Sequence, residues 1–172
     1  MSQDERIPIV DRDDNVLTYK KRSDMTDDDC KRCVCIWVEN RKGQVLLQQR
    51  SQTVKVDPGL WGTAVLGTVT DDDTYDKTAT RELAEEIGIT GFPLKKTNKL
   101  HYKSSFGWRM GQGYIVVCDW PIEKFKLQES EVAQVIWVDK KQIIAEITDK
   151  SSHTLPYVMA YVTWPELFNL AS

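Results

Sequence analysis

The chain has 172 residues, 41% of them hydrophobic and 28% charged, with a formal net charge of −3. That length supports one domain with a real core, and the acidic balance excludes a field that would attract a nucleic acid polymer. No apolar run approaches the roughly 20 residues that a bilayer requires, and residues 1–6 are polar, so neither a membrane span nor a signal peptide is expected and the expected location is cytoplasmic.

Residues 7–10 and 16–19 read as short strands around a polar turn, and 20–29 as an acidic connector. Residues 1–29 are therefore expected to form an N-terminal β-hairpin and connector, packed on a domain that runs from 30 to 172. Residues 33–38 and 45–50 make a second hairpin, closed at Gly43. Within its first strand Cys33 and Cys35 alternate and face one side. With Cys30 and Cys118 they are expected to be buried thiols, because no second Cys or His pair completes a zinc site and an unsignalled chain stays reduced.

Asp57-Pro58-Gly59 turns the chain into Leu60-Trp61 and a short strand that ends near Leu66. The spacing turns helical from 74 to 87, with Asp71, Asp72, Asp73 and Thr74 as N-cap candidates and Gly88 as the stop. Strands are expected at 99–104, 114–120 and 132–138, and helices at 140–147 and 155–170. The glycine-rich stretch 104–113 reads as a loop flanking a cleft or as a long hairpin tip. This order predicts an α+β fold, a mixed sheet covered by helices in an α/β/α sandwich.

The chemistry concentrates in the helix. Glu82 lies three residues before Glu85 and four before Glu86, so the three carboxylates share one face. They repel each other unless a cation or solvent lies between them. Arg81 adjoins Glu82 in sequence but is expected off that face. Ala79, Leu83 and Ile87 form an apolar line for packing on the sheet. An oxygen-only donor set suits Mg²⁺ or Mn²⁺, although the helix spacing by itself describes a solvated acidic face equally well.

Residues 67–89, GTVTDDDTYDKTATRELAEEIGI, resemble the Nudix box, G-x5-E-x7-R-E-U-x-E-E-x-G-U, where U is bulky and aliphatic. Gly67, Arg81, Glu82, Leu83, Glu85, Glu86, Gly88 and Ile89 stand in their places, and Asp73 replaces the first Glu. The likeness continues in 34–38, 44–50, 58–61 and 131–139, and covers about 31–147. It implies the Nudix α/β/α sandwich, Mg²⁺ (with Mn²⁺ as substitute) on Glu82, Glu85 and Glu86, and water attack on a diphosphate bond of a nucleoside-diphosphate-linked or related small molecule. Gly67 would allow the turn before the box loop, and Arg81 would orient the carboxylates. A general base would come from that helix, from Glu85 or Glu86, or from outside it, with Glu131 first and Glu129 second. Arg50 is a candidate for a substrate phosphate or a plain surface charge. Trp61, Trp108, Tyr114 and Trp164 are candidates for stacking on a base or for packing, and Trp61 is taken as the substrate contact. The family admits homodimers.

Upstream of the box the layout is most similar to the branch containing type I isopentenyl-diphosphate isomerase. That reaction needs a cysteine where this chain has Leu66, and histidines where it has Thr68 and Lys31; His101 and His153 match neither. The resemblance is therefore to isomerase-like Nudix hydrolases. The isomerase itself and a non-catalytic Nudix binding module are the alternatives, and the intact Glu82, Glu85 and Glu86 stand against the latter.

Overall fold

The computed structural model describes residues 5–104, 107–148 and 164–170. β3 (Cys30–Glu39) is the organising strand, because both of its faces are apolar. Val34, Ile36 and Val38 point into one core, and Cys33, Cys35 and Trp37 into another. A run buried on both sides reads as continuous hydrophobicity and must be covered twice. Along one edge β3 pairs in parallel with β8 (Gly107–Val117) over its whole length. Its other edge is shared. β1 (Arg6–Val10) touches it at Lys31, β6 (Val65–Thr68) pairs with Cys33 to Ile36, and β4 (Gln44–Arg50) pairs only with Val38 and Glu39.

β4 therefore leaves β3 after two pairs. It carries β5 (Trp61–Thr63) and β9 (Val132–Asp139) with it, so the sheet opens between its two halves. The outer edges are β2 (Val16–Lys21) on β1 and β7 (Lys95–Ser104) on β8. The helix α1 (Tyr75–Ile87) lies across the opening. Its expected apolar line is present, with Ala79, Leu83 and Ile87 at most 2% exposed in a core that draws on both sheet halves. Truncating such a side chain, Leu83→Ala for example, removes roughly 2–5 kcal/mol. On the other face α2 (Lys140–Thr148) and α3 (Trp164–Phe168) cover the second core, where Trp37 meets Phe168 with ring centroids 5.3 Å apart. The α+β sandwich expected from the sequence is the observed architecture.

The N-terminal hairpin joins the sheet through Ile9, opposite Lys31. Its turn is set by Asp11, whose Oδ1 accepts from the Asp13 and Asn15 amides at 2.9 Å. Asp14, at φ 66°, receives Arg32, Lys99 and the Tyr75 hydroxyl, which ties the turn to β3, β7 and α1.

Three expectations change. The glycine-rich stretch is strand from Gly107 onward, because in-register parallel pairing with β3 outweighs glycine's low strand propensity. Its glycines serve close approach: a Cβ at Gly113 would lie 2.7 Å from the Leu167 carbonyl oxygen. The strand expected from 99 begins at Lys95. Of the helix expected at 155–170, only Trp164–Phe168 falls among the described residues, and 155–163 lie outside them. All four cysteines are buried free thiols. No helix among the described residues is long and apolar enough to cross a membrane.

Candidate active site

The site is built where β6 hands the chain to α1. Gly67 lies within β6, and its φ is not positive. It is required for space and not for the turn expected from the sequence: a Cβ there would stand 2.4 Å from Glu82 Cγ and 2.8 Å from Cδ. Thr74 is the N-cap, accepting the Lys77 amide on its hydroxyl at 3.3 Å, and Gly88 ends the helix at φ 76°. Asp73 is consequently free of capping duty. Its Oδ2 accepts from the Thr78 hydroxyl at 3.2 Å and from Arg81 Nε at 3.3 Å.

Arg81 departs from the sequence reading, which kept it off the acidic face. Its Nη1 lies 3.0 Å from Glu82 Oε1 and 3.1 Å from Glu85 Oε2, so one guanidinium joins Asp73, Glu82 and Glu85. An arginine fork reaches sideways further than Cβ positions imply. Glu85 is exposed, whereas Glu82 and Glu86 are 6% and 3% exposed. Burial pushes the Glu82 carboxyl up to about 7, with Arg81 opposing and Glu85 and Glu131 adding repulsion. Glu86 is displaced upward as well, by burial first and then by Glu82 and Glu131, while the Gln48 amide and the Arg50 charge act the other way.

Glu131, Arg50 and the acidic helix thus share one electrostatic neighbourhood. Glu131 precedes β9, and its carbonyl accepts the Ser51 amide at 2.8 Å, which fastens it to the end of β4 beside Arg50. Arg50 Nε donates to the Val56 carbonyl at 2.8 Å. Glu129 is exposed. Trp61 is 7% exposed and packs in the second core with Trp37, Leu47 and Phe168. Tyr114 is buried with its hydroxyl on Asp76, and Trp108 stacks on His101 at 4.6 Å. The Trp164 side chain lies outside the described residues.

Gln48 is the residue that sequence reasoning missed. It is 1% exposed on the α1 side of β4, two residues after the core residue Leu46. A polar side chain at a position where strand alternation demands an apolar one was the available signal. Its Oε1 and Glu86 Oε2 are both buried without a hydrogen-bond partner. Such acceptors are costly unless something outside the chain satisfies them. Among the described residues no group of three or more His, Cys, Asp or Glu side chains is placed to hold a metal ion. The donor chemistry nevertheless fits a hard divalent cation: clustered carboxylates, an orphaned carboxylate oxygen and an orphaned amide oxygen.

Fold and site together define a sheet between helices, with one helix that carries two buried carboxylates, Glu82 and Glu86, against it. A NUDIX domain model matches residues 30–158, and the chain belongs to the Nudix family as a Nudix hydrolase. The uncharacterised Nudix hydrolase YfcD of Salmonella typhi is 27% identical over 164 residues, spanning 95% of this chain and 88% of the relative. An uncharacterised Nudix hydrolase of Streptomyces coelicolor is 36% identical over 93 residues, covering 54% of this chain and 51% of that one. Among solved structures, DR0079 from Deinococcus radiodurans shares the fold with a TM-score of 0.72 at 18% identity, covering 88% and 93% of the two chains. The NUDIX domain of Shewanella oneidensis NrtR, solved as a complex with ADP ribose, has a TM-score of 0.62 at 18% identity over 88% and 92%.

Proposed function

We propose that this Nudix hydrolase cleaves a diphosphate bond in a nucleoside-diphosphate-linked or related small molecule, using Mg²⁺, or Mn²⁺ in its place, held by Glu82, Glu85 and Glu86. The observation that carries the reading is the Glu86 carboxylate, buried and with an oxygen unpartnered, beside a second buried carboxylate on the same helix. When bound, the cation offsets charge on phosphate oxygens and makes water a better nucleophile.

The chain's own residues supply the rest. Glu131 takes the proton as the water oxygen forms its bond to phosphorus and the bridging P–O bond breaks; the leaving phosphate carries away the electron pair. Arg50 faces that developing negative charge. Arg81 positions Glu82 and Glu85, and Asp73 holds Arg81. Leu66, whose register partner is Cys35 on the β3–β6 ladder, supports the hydrolase over the isomerase chemistry, because it has no ionisable group. Four free thiols and no membrane-crossing helix among the described residues support a cytoplasmic enzyme.

The test is to incubate the purified protein with Mg²⁺ and nucleotide sugars, dinucleoside polyphosphates, oxidised nucleotides, ADP-ribose and isoprenoid diphosphates. One of these should give two phosphate-bearing products, with ¹⁸O from water in one of them, and turnover should stop in chelator. Turnover that persists in chelated, metal-free protein overturns the mechanism, and a folded, Mg²⁺-loaded protein that cleaves none of the panel overturns the substrate class.

A further inference from the structure

On the sheet face away from α1, strand register brings together two cations that no carboxylate pairs with directly. Parallel pairing sets Lys31 beside Arg109 and Cys33 beside Gly111, and the β7–β8 ladder sets Tyr102 opposite Arg109. Alternation along β3 puts Lys31 on the same face as Cys33, Cys35 and Trp37, at the rim of the second core. Lys31 and Arg109 are both half-buried. Among the described residues neither makes an ion pair: Arg109 Nη1 donates only to the Trp108 carbonyl at 3.0 Å, and Lys31 has no side-chain hydrogen bond. Arg22 and Glu5, paired with each other at 2.7 Å, act on Lys31 in opposite senses.

The Tyr102 hydroxyl completes the rim, 3.6 Å from Cys33 Sγ and 3.8 Å from Cys35 Sγ. Tyr102 can lie against β8 because of Gly111, where a Cβ would stand 2.8 Å from Tyr102 Cε1. Each polar group here can donate, through ammonium, guanidinium, phenol or thiol, and the one acid that faces the cations is the Cys33 thiol, lowered by its hydrogen bonds to Cys35 and Tyr102 and by the Arg109 and Lys31 charges. Burial together with the neighbouring Arg109 and Arg22 lowers the Lys31 ammonium to about 8. Two half-buried like charges side by side weaken the fold unless an anion joins them.

We propose that Lys31, Arg109 and Tyr102 form an anion subsite that takes a phosphate group of a phosphorylated small molecule. The guanidinium offers paired donors to two phosphate oxygens, the ammonium a point charge, and the phenol a neutral donor. None of these residues belongs to the acidic-helix site, so the subsite holds whether or not the hydrolysis proposal does.

The experiment titrates EDTA-treated full-length protein with inorganic phosphate and, separately, with methylenediphosphonate, following tryptophan fluorescence and thermal unfolding. Both signals should saturate in wild type and in Glu86→Gln. Lys31→Gln and Arg109→Gln should each weaken binding about ten-fold, as expected for one charge-assisted contact, and Lys31→Arg should retain it. Tighter binding of the diphosphonate would identify the occupant as a substrate's diphosphate; tighter binding of inorganic phosphate would identify it as free phosphate. In phosphate-free buffer Lys31→Gln should unfold no earlier than wild type, because it removes a repulsion. Absence of saturable binding in wild type, affinity unchanged in both glutamine variants, or a lowered melting temperature of Lys31→Gln without phosphate overturns the proposal.

Discussion

Gly67→Ala tests whether space, and not backbone freedom, is what the first box glycine provides. The added methyl would sit 2.4 Å from Glu82 Cγ, whereas carbon atoms settle at about 3.5–4.0 Å. The Glu82 side chain must therefore retreat by roughly 1 Å or more. It has little freedom to do so, being held by Arg81 at 3.0 Å on a helix whose opposite face is pinned by Ala79 and Leu83. Overpacking of this kind costs about 1–3 kcal/mol, a fall in melting temperature of roughly 2–12 °C for a chain of this size. A displacement near 1 Å in a site costs on the order of a hundred-fold in kcat/KM, and a disturbed carboxylate about 10–100-fold in metal affinity. Thermal unfolding in chelator, Mn²⁺ titration and steady-state kinetics measure the three quantities. Gly43→Ala is the control: Gly43 has φ 80° with nothing within 4 Å of its would-be Cβ, so alanine there should lower stability by about 1 kcal/mol and leave turnover alone. Shortening the neighbour, by Glu82→Asp in the Gly67→Ala background, should recover part of the metal affinity. Wild-type metal affinity and turnover in Gly67→Ala would refute the steric reading.

Asp73→Glu should lower turnover by less than about ten-fold, because a glutamate can still hold Arg81, whereas Glu86→Gln should lower it by about a thousand-fold or more; equal collapse in kinetic assays would mean that Asp73 touches the reacting groups. In metal-free protein the Glu82 carboxyl is held near 7 against 4.5 when free, so folding is penalised above pH 7 by about 3 kcal/mol, and the penalty fades as pH falls through that window towards 4.5. Chelated protein should therefore melt higher at pH 5.5 than at pH 8, with a smaller difference in Glu82→Gln; a melting temperature that rises with pH, or a slope indifferent to Glu82, contradicts the assignment. Isopentenyl diphosphate in deuterated water should yield no allylic isomer above background, since Leu66, Thr68 and Lys31 supply neither the acid nor the imidazoles that proton transfer to an unactivated double bond requires; saturable exchange by the wild type would overturn that exclusion.

Periodicity was sufficient for the parts of this molecule whose structure is local. The Ala79–Leu83–Ile87 line, the Gly88 stop and the Gly43 turn are consequences of spacing within a dozen residues, and all appear as expected. What spacing could not show is decided by register between distant strands. Gly107 to Gly113 has the composition of a loop, yet β3 draws it into a strand as its parallel partner. Trp61 follows a turn like a residue on offer to solvent, and only the covering helices and the neighbouring Trp37 turn it into core. The acidic face was legible, but its partition was not: Glu82 and Glu86 are buried and Glu85 exposed because β6 and β4 lie against only part of that face. Gln48 reaches Glu86 from another strand, 38 residues away in sequence, where helix spacing carries no information.

The division of charge along α1 shows why this helix needs something from outside the chain. Arg81 satisfies the acids within its reach, Asp73, Glu82 and Glu85, with one guanidinium. Glu86 lies beyond that reach, enclosed among Gln48 and the core, with Arg50 acting only through its charge. A leucine at 86 would bury the same volume without an orphaned oxygen, so nothing in the stability of the fold favours the acid. Its cost is carried by the flanking apolar positions, Leu83 and Ile87, each contributing about 1.5–3 kcal/mol of burial. A sequence that is consistent with its fold along most of its length breaks the rule at Gln48, Glu86, and the Lys31–Arg109 pair. Local inconsistency of that kind falls at the two places where we propose that the molecule receives a ligand.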